Sequence, residues 1–154
     1  MTLCDADCVD LTNLQRQILY ATADIGRLKV DAAAQRLSAV NPQIRIERIA
    51  ARVDAMSLVP LVAAADVVLD CTDNVATRHA INTACVRAGK PLVSGAAIRF
   101  DGQIAVFDVT APDSPCYHCL FAEGDELEEP RCATLGVVAP LVGIVGPSPA
   151  ADAL

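Results

Sequence analysis

No part of the chain constrains its fold more than residues 66–74. Val67, Val68 and Leu69 form a short apolar run, closed at once by Asp70-Cys71-Thr72-Asp73-Asn74. Continuous apolar runs of this length belong to strands buried on both faces, in parallel sheets covered by helices. The run therefore reads as a central parallel strand. Residues 75–88 read as the helix that follows, with Gly89 as its C-terminal stop. A polar turn between such a strand and its helix lies where open α/β sheets bind ligands.

The flanking sequence extends the pattern. Residues 1–5 read as the end of a strand, and residues 10–19 as a polar loop with a short helical turn. Over residues 26–40, Val30, Ala33, Leu37 and Val40 fall on one helical face, and Asn41-Pro42 ends the helix. Ile44, Ile46 and Ile49 mark a short strand, and residues 55–65 a helix that must accommodate Pro60. Residues 91–94 predict another strand. Residues 98–100 and 103–109 predict a hairpin turning at Asp101-Gly102. Residues 110–130 are loop-rich and acidic, and residues 136–146 read as a buried helix. The expected fold class is α/β: a Rossmann-like, doubly wound, mostly parallel sheet with an antiparallel hairpin extension. Aromatic residues are only 3% of the chain, so the core must be aliphatic.

Charge and cysteine usage limit the functions available. A net charge of −7 disfavours nucleic-acid binding, which needs a basic face. Seven cysteines, an odd number, argue against a closed disulfide framework. The first 18 residues carry Asp5, Asp7 and Asp10 and have no apolar signal core. A cytoplasmic, reducing setting is expected. Residues 136–146, the richest apolar stretch, are too short to span a bilayer.

A few side chains could carry chemistry. Asp5, at a strand end, can accept hydrogen bonds from ribose hydroxyls or can simply be a turn residue. Arg16 and Lys29 offer a forked and a point cation for phosphate, or are surface cations. Asp73 suits Mg²⁺, which takes few protein ligands and several phosphate oxygens, or else caps the following helix. Cys116 and Cys119 form a C-x-x-C, half of a zinc site or a redox dithiol. Cys132 reads either as an activated thiol near a helix start or as a small buried residue. Cys71 and Cys85 read as packing residues.

Taken together, several segments resemble the ThiF/MoeB/HesA family of ubiquitin-activating-type adenylyltransferases. They are Leu3-Cys4-Asp5-Ala6-Asp7, Asn13-Leu14-Gln15-Arg16-Gln17, Gly26-Arg27-Leu28-Lys29, Asn41-Pro42 and Asp70-Cys71-Thr72-Asp73-Asn74. Pro91-Leu92-Val93-Ser94-Gly95-Ala96, Gly102-Gln103, Cys116-Tyr117-His118-Cys119 and Gly136-Val137-Val138-Ala139-Pro140 complete the series. The resemblance implies ATP-dependent adenylation of the C-terminal carboxylate of a ubiquitin-like sulfur carrier (ThiS- or MoaD-like), in thiamin or molybdopterin biosynthesis. It implies that Asp5 holds the ATP ribose and that Asn13, Arg16 and Lys29 contact phosphates. Asp73 would bind Mg²⁺, Cys116 and Cys119 would give half of a structural Zn²⁺ site, and Cys132 would stand at a sulfur-transfer position. It also implies a homodimer.

The family pattern begins earlier, with a strand, a G-x-G-G-x-G phosphate loop and a helix, and continues later to a second C-x-x-C. Neither is found in these residues, so a domain over residues 1–146 that misses its first strand and helix is expected. Residues 147–154 resemble no family segment, and Pro147 and Pro149 are expected to break the helix there. Impaired adenylation is the corresponding expectation. The competing readings are a non-catalytic remnant that binds the carrier or a full-length paralogue, and an NAD-type oxidoreductase domain, which the missing Gly-rich fingerprint disfavours.

Overall fold

A computed structural model describes residues 1–122 and 136–154. Cys132 lies outside the described residues. The chain divides into two compact units, residues 1–53 and 54–154.

The first unit is a strand–helix–strand crossover. Strand β1 (Thr2–Cys4) pairs in parallel with β2 (Glu47–Ile49), with Leu3 opposite Arg48. Helix α1 (Lys29–Val40) connects them, as a parallel pair requires. Val30, Ala32, Ala33 and Ala34 form its buried face, together with Val9 from the preceding loop. The expected face fits only at its N-terminal end, because Val40 is 78% exposed. Asn41 ends the helix, as expected. Of the expected strand through Ile44 and Ile46, only the last three residues join the ladder.

The second unit opens with α2 (Ala55–Ala63). Asp54 caps it through the N–H groups of Met56 and Ser57, and Ser57 Oγ accepts the Asp54 N–H at 2.8 Å. Pro60 stays within the helix. It removes a donor to the carbonyl of Met56, an exposed residue near the start where water can substitute. Strand β3 (Val68–Asp70), helix α3 (Val75–Ala88) and strand β4 (Leu92–Ile98) make a second parallel crossover. Gly89, at φ 62°, ends α3 as expected. Strand β5 (Asp101–Phe107) returns antiparallel, from Ile98 opposite Asp101 to Leu92 opposite Phe107. The order is β3-β4-β5, so β4 is the centre of this sheet and β3 lies at its edge, with Leu69 43% exposed. Leu92, Val93 and Phe107 are buried with Ile81, Cys85, Leu58 and Val62. Each such side chain contributes about 1.5–3 kcal/mol on burial. Cys85 packs as expected, whereas Cys71 is exposed beyond the end of β3.

The hairpin turns at Arg99-Phe100, two residues before the Asp-Gly pair that predicted it. Arg99 takes a positive φ of 51° and is held by hydrogen bonds with Gly136 and Val138. Gly102 serves a different need. A Cβ there would meet Leu141 at 2.8 Å and Val145 at 2.9 Å. The glycine is required for the close approach of helix α5 (Ala139–Val145) to the sheet. A short helix α4 (Tyr117–Leu120) precedes it in the chain.

The prolines after α5 do not end the helical path. Gly146 keeps right-handed helical angles and α6 (Pro147–Asp152) follows directly. Pro147 and Pro149 occupy its first turn, where N–H groups have no helical acceptor to lose. Pro149 is fully buried, and its Cγ would lie 3.0 Å from a Cβ on Gly95.

Gly102→Ala is expected to lower unfolding stability by about 1–3 kcal/mol, the usual cost of overpacking. Arg99→Gly relieves a left-handed angle and is expected to be neutral or to stabilise by up to about 1 kcal/mol. Urea unfolding of both variants measures this, and a Gly102→Ala variant as stable as the parent would overturn the close approach of α5 at that position.

Candidate functional site

In the first unit, Asp5 follows β1 and its N–H continues the ladder to the Ile49 carbonyl at 3.1 Å. Its carboxylate accepts the Asp7 N–H at 2.8 Å. Lys29, the first residue of α1, is only 8% exposed. Its Nζ lies 3.0 Å from Asp7 Oδ2 and 4.0 Å from Asp5 Oδ2. Asp5 and Lys29 are therefore neighbours, and Asp7, which the sequence did not single out, is the nearer anion.

Asn13 and Arg16 share a second local cluster. A 3₁₀ turn over Leu11–Asn13 is capped by Asp10, and the Arg16 N–H donates to the Asn13 carbonyl at 3.0 Å. Arg16 Nη1 donates to the Thr12 carbonyl at 3.3 Å, which folds the side chain of this half-buried residue back over the turn. The Thr12 hydroxyl and N–H hold the Asp10 carboxyl below the usual carboxylate range.

In the second unit, Asp70 ends β3 and is 1% exposed. Its Oδ1 accepts both the N–H and the hydroxyl of Thr72, at 2.9 and 2.7 Å. Buried Arg78, one turn into α3, donates through Nη2 to the Thr72 carbonyl. Asn74 is the helix cap, its Oδ1 accepting the Thr77 N–H at 2.9 Å. Capping by Asp73 is thus excluded. Its exposed carboxylate belongs to a turn in which Asp70 Oδ1, the Thr72 hydroxyl and the Asn74 amide oxygen are already engaged. A hard cation that needs one free carboxylate fits that donor.

The two thiols of the C-x-x-C lie together at the start of α4, with Cys116 Sγ 3.6 Å from Cys119 Sγ. The sulfur–sulfur edge of a tetrahedral zinc site is about 3.8 Å, from Zn–S bonds of about 2.3 Å. The pair therefore fits half of such a site. No third acidic, His or Cys ligand joins it among the described residues. Burial by itself would raise the Cys116 thiol. Hydrogen bonds from the Asn82 side chain and from the backbone of Cys119 and His118 outweigh it and hold the thiol below the ordinary cysteine value.

A ThiF family model matches residues 1–154. The chain belongs to the ThiF family. Among curated relatives, it is 46% identical to the sulfur carrier protein ThiS adenylyltransferase of Escherichia coli strain K12. It is likewise 46% identical to the molybdopterin-synthase adenylyltransferase of the same strain, and 41% to the SAMP-activating enzyme E1 of Haloferax volcanii. All three alignments cover 100% of this chain and 61%, 61% and 56% of the relatives. The chain thus spans about three fifths of their length. Its fold matches the crystal structure of E. coli MccB with ATP at TM-score 0.81 and 24% identity, over 98% of this chain and 46% of that one. PaaA matches at TM-score 0.76 and 22% identity, over 99% and 55%.

In this ThiF-family chain, sequence reasoning overlooked Asp7, Asp10, Thr72, Arg78 and Asn82. One local signal was available. Asp10-x-Thr12, Asp70-x-Thr72 and Asp108-x-Thr110 share a pattern, and in each the carboxylate accepts the N–H and hydroxyl of the Thr two residues on. Arg78 and Asn82 lie inside a helix, where only the tertiary structure reveals their partners.

Asn74→Ala is expected to cost about 1 kcal/mol, the value of a helix cap. Asp73→Ala should change stability by less than about 0.5 kcal/mol. Thermal or urea unfolding separates the two, and a larger loss at Asp73 would reinstate it as the cap. The Asp10 carboxyl gives a pH dependence. Because its folded pKa is depressed, its contribution is complete above the usual aspartate value of about 3.9. That contribution is lost as pH falls through the lower folded value. Amide exchange at Thr12 should accelerate only in that acidic window, relative to a reference amide, and Asp10→Asn should flatten the response.

Proposed function

We propose that the protein containing this chain uses ATP to adenylate the C-terminal carboxylate of a ubiquitin-like sulfur-carrier protein, for thiamin or molybdopterin biosynthesis. The observation that carries this reading is Asp73: an exposed carboxylate at the C-terminal end of a parallel strand, excluded from the helix cap. The names of the curated relatives support the reaction type and the carrier. Equal identity to the two E. coli enzymes leaves both carriers as substrates to be compared.

In the reaction, a carrier carboxylate oxygen attacks the α-phosphorus of ATP, an acyl-phosphate bond forms, and pyrophosphate leaves. The chain's residues act by positioning and by electrostatic stabilisation. Asp5 would orient the ribose hydroxyls. Asn13 and Arg16 would face phosphate oxygens, and Lys29, already paired with Asp7, would add positive field near them. Asp73 would hold Mg²⁺, which when bound offsets charge on the phosphate oxygens. Cys116 and Cys119 would contribute two of four ligands to a structural Zn²⁺ site, with Cys132 available for sulfur chemistry. A cytoplasmic setting is supported by the free thiols of the six described cysteines. Among the described residues, no helix is long and apolar enough to cross a membrane. Homodimerisation rests on the family resemblance. These 154 residues hold no G-x-G-G-x-G segment to cradle phosphates, so exchange by them alone is expected to be weak.

Carrier-dependent ATP–pyrophosphate exchange tests the proposal. Asp73→Asn should lower exchange by about 10²–10³-fold, as for loss of one transition-state charge contact. Folding should be unaffected, because Asn74 remains as the cap. Carrier binding with no exchange in the full-length protein would favour the non-catalytic reading instead.

A further inference from the structure

Asn82 lies in the middle of α3 and is only 4% exposed. An amide in such a place destabilises the fold unless both its ends are hydrogen-bonded. Its Oδ1 accepts the Tyr117 N–H at 2.9 Å, and its Nδ2 lies 3.6 Å from Cys116 Sγ. The orientation is fixed by these partners. Only the oxygen can accept from Tyr117, so the NH₂ must face the sulfur. Asn82 thereby holds two successive residues of the C-x-x-C turn, Cys116 by its side chain and Tyr117 by its backbone. Tyr117 itself is anchored by edge-on ring contacts to Phe107 and His79, at 5.9 and 5.3 Å. The turn is therefore referenced to α3 through the Asn82 amide, with the His79 ring of the same helix packed beside it. Cys116 is the N-cap residue of α4, and its sulfur sits between the Asn82 amide and Cys119 Sγ, each at 3.6 Å.

We propose that Asn82 is a positioning residue for soft-metal binding by Cys116 and Cys119. Its carbonyl oxygen sets the turn, and its NH₂ keeps Cys116 Sγ directed toward Cys119 Sγ. This rests on the reading of the pair as half of a metal site. Groups that orient a metal ligand from behind commonly affect affinity by about 10–100-fold.

Cd²⁺ titration of the 154-residue chain, followed by the ultraviolet thiolate-to-cadmium band, tests this. A Cys116→Ser/Cys119→Ser variant identifies the part of the band that belongs to this pair. Asn82→Asp keeps the acceptor for Tyr117 and removes the donor to sulfur. It is expected to weaken the pair's Cd²⁺ affinity by about 10–100-fold with the tyrosine circular dichroism unchanged. Asn82→Ala, which removes both, should also alter the tyrosine signal. Wild-type affinity in Asn82→Asp overturns the inference while leaving the half-site intact. Loss of the tyrosine signal in Asn82→Asp overturns it too, because the retained oxygen is assigned to the turn. A wild-type chain with no band from this pair overturns the half-site reading, and the inference with it.

Discussion

A buried carboxylate and a buried guanidinium meet at Thr72, and the path of the chain through the second unit follows from that meeting. Asp70 holds the N–H and hydroxyl of Thr72, and Arg78 holds its carbonyl. The first residue belongs to the end of β3 and the second to the first turns of α3, so strand and helix are locked at a fixed angle. Charges removed from water are tolerated only with such hydrogen bonds. The satisfaction is incomplete, since Asp70 Oδ2 has no partner among the described residues. An unmet buried acceptor costs about 1–3 kcal/mol, and this one sits beneath the turn that presents Asp73.

The same helix face carries the effect onward. Arg78, Asn82 and Cys85 are spaced i, i+4, i+7 and all are buried. Arg78 fixes the ligand-end turn, Asn82 the cysteine turn, and Cys85 the core between them. α3 is thus a ruler that relates the β3 turn to the thiol pair, both within residues 54–154. Its C-terminal stop at Gly89 then directs the chain into β4, the centre of the sheet.

Much of this order was legible in the sequence wherever one residue decides one local feature. Gly89 ended α3, Asn41-Pro42 ended α1, and the apolar run before Asp70 was a parallel strand. Reading failed where a residue had two possible uses and tertiary packing chose between them. Gly102 could serve a turn or a close helix approach, and the side chains of Leu141 and Val145 decide for the latter. Pro147 and Pro149 could end a helix or begin one, and the burial of Pro149 favours the second. Asp73 and Asn74 competed for one cap, and the amide took it. Asp5, Lys29, Asn13 and Arg16 were identified singly, but their pairing, and the part played by Asp7, are set by the tertiary structure.

Gly95 and Gly102, on neighbouring strands, form a smooth seat for Val145 and Pro149. Side-chain volume on the two surfaces is therefore conserved as a sum and not position by position. A sequence with a larger residue at 102 can keep the same backbone only by shrinking residue 141 or 145, and a larger residue at 95 requires a smaller one at 149 or 145. Substitutions at these sites should be inherited in compensating pairs. Either member alone would lift α5 and α6 from the sheet and expose the apolar surface that the glycines allow them to cover.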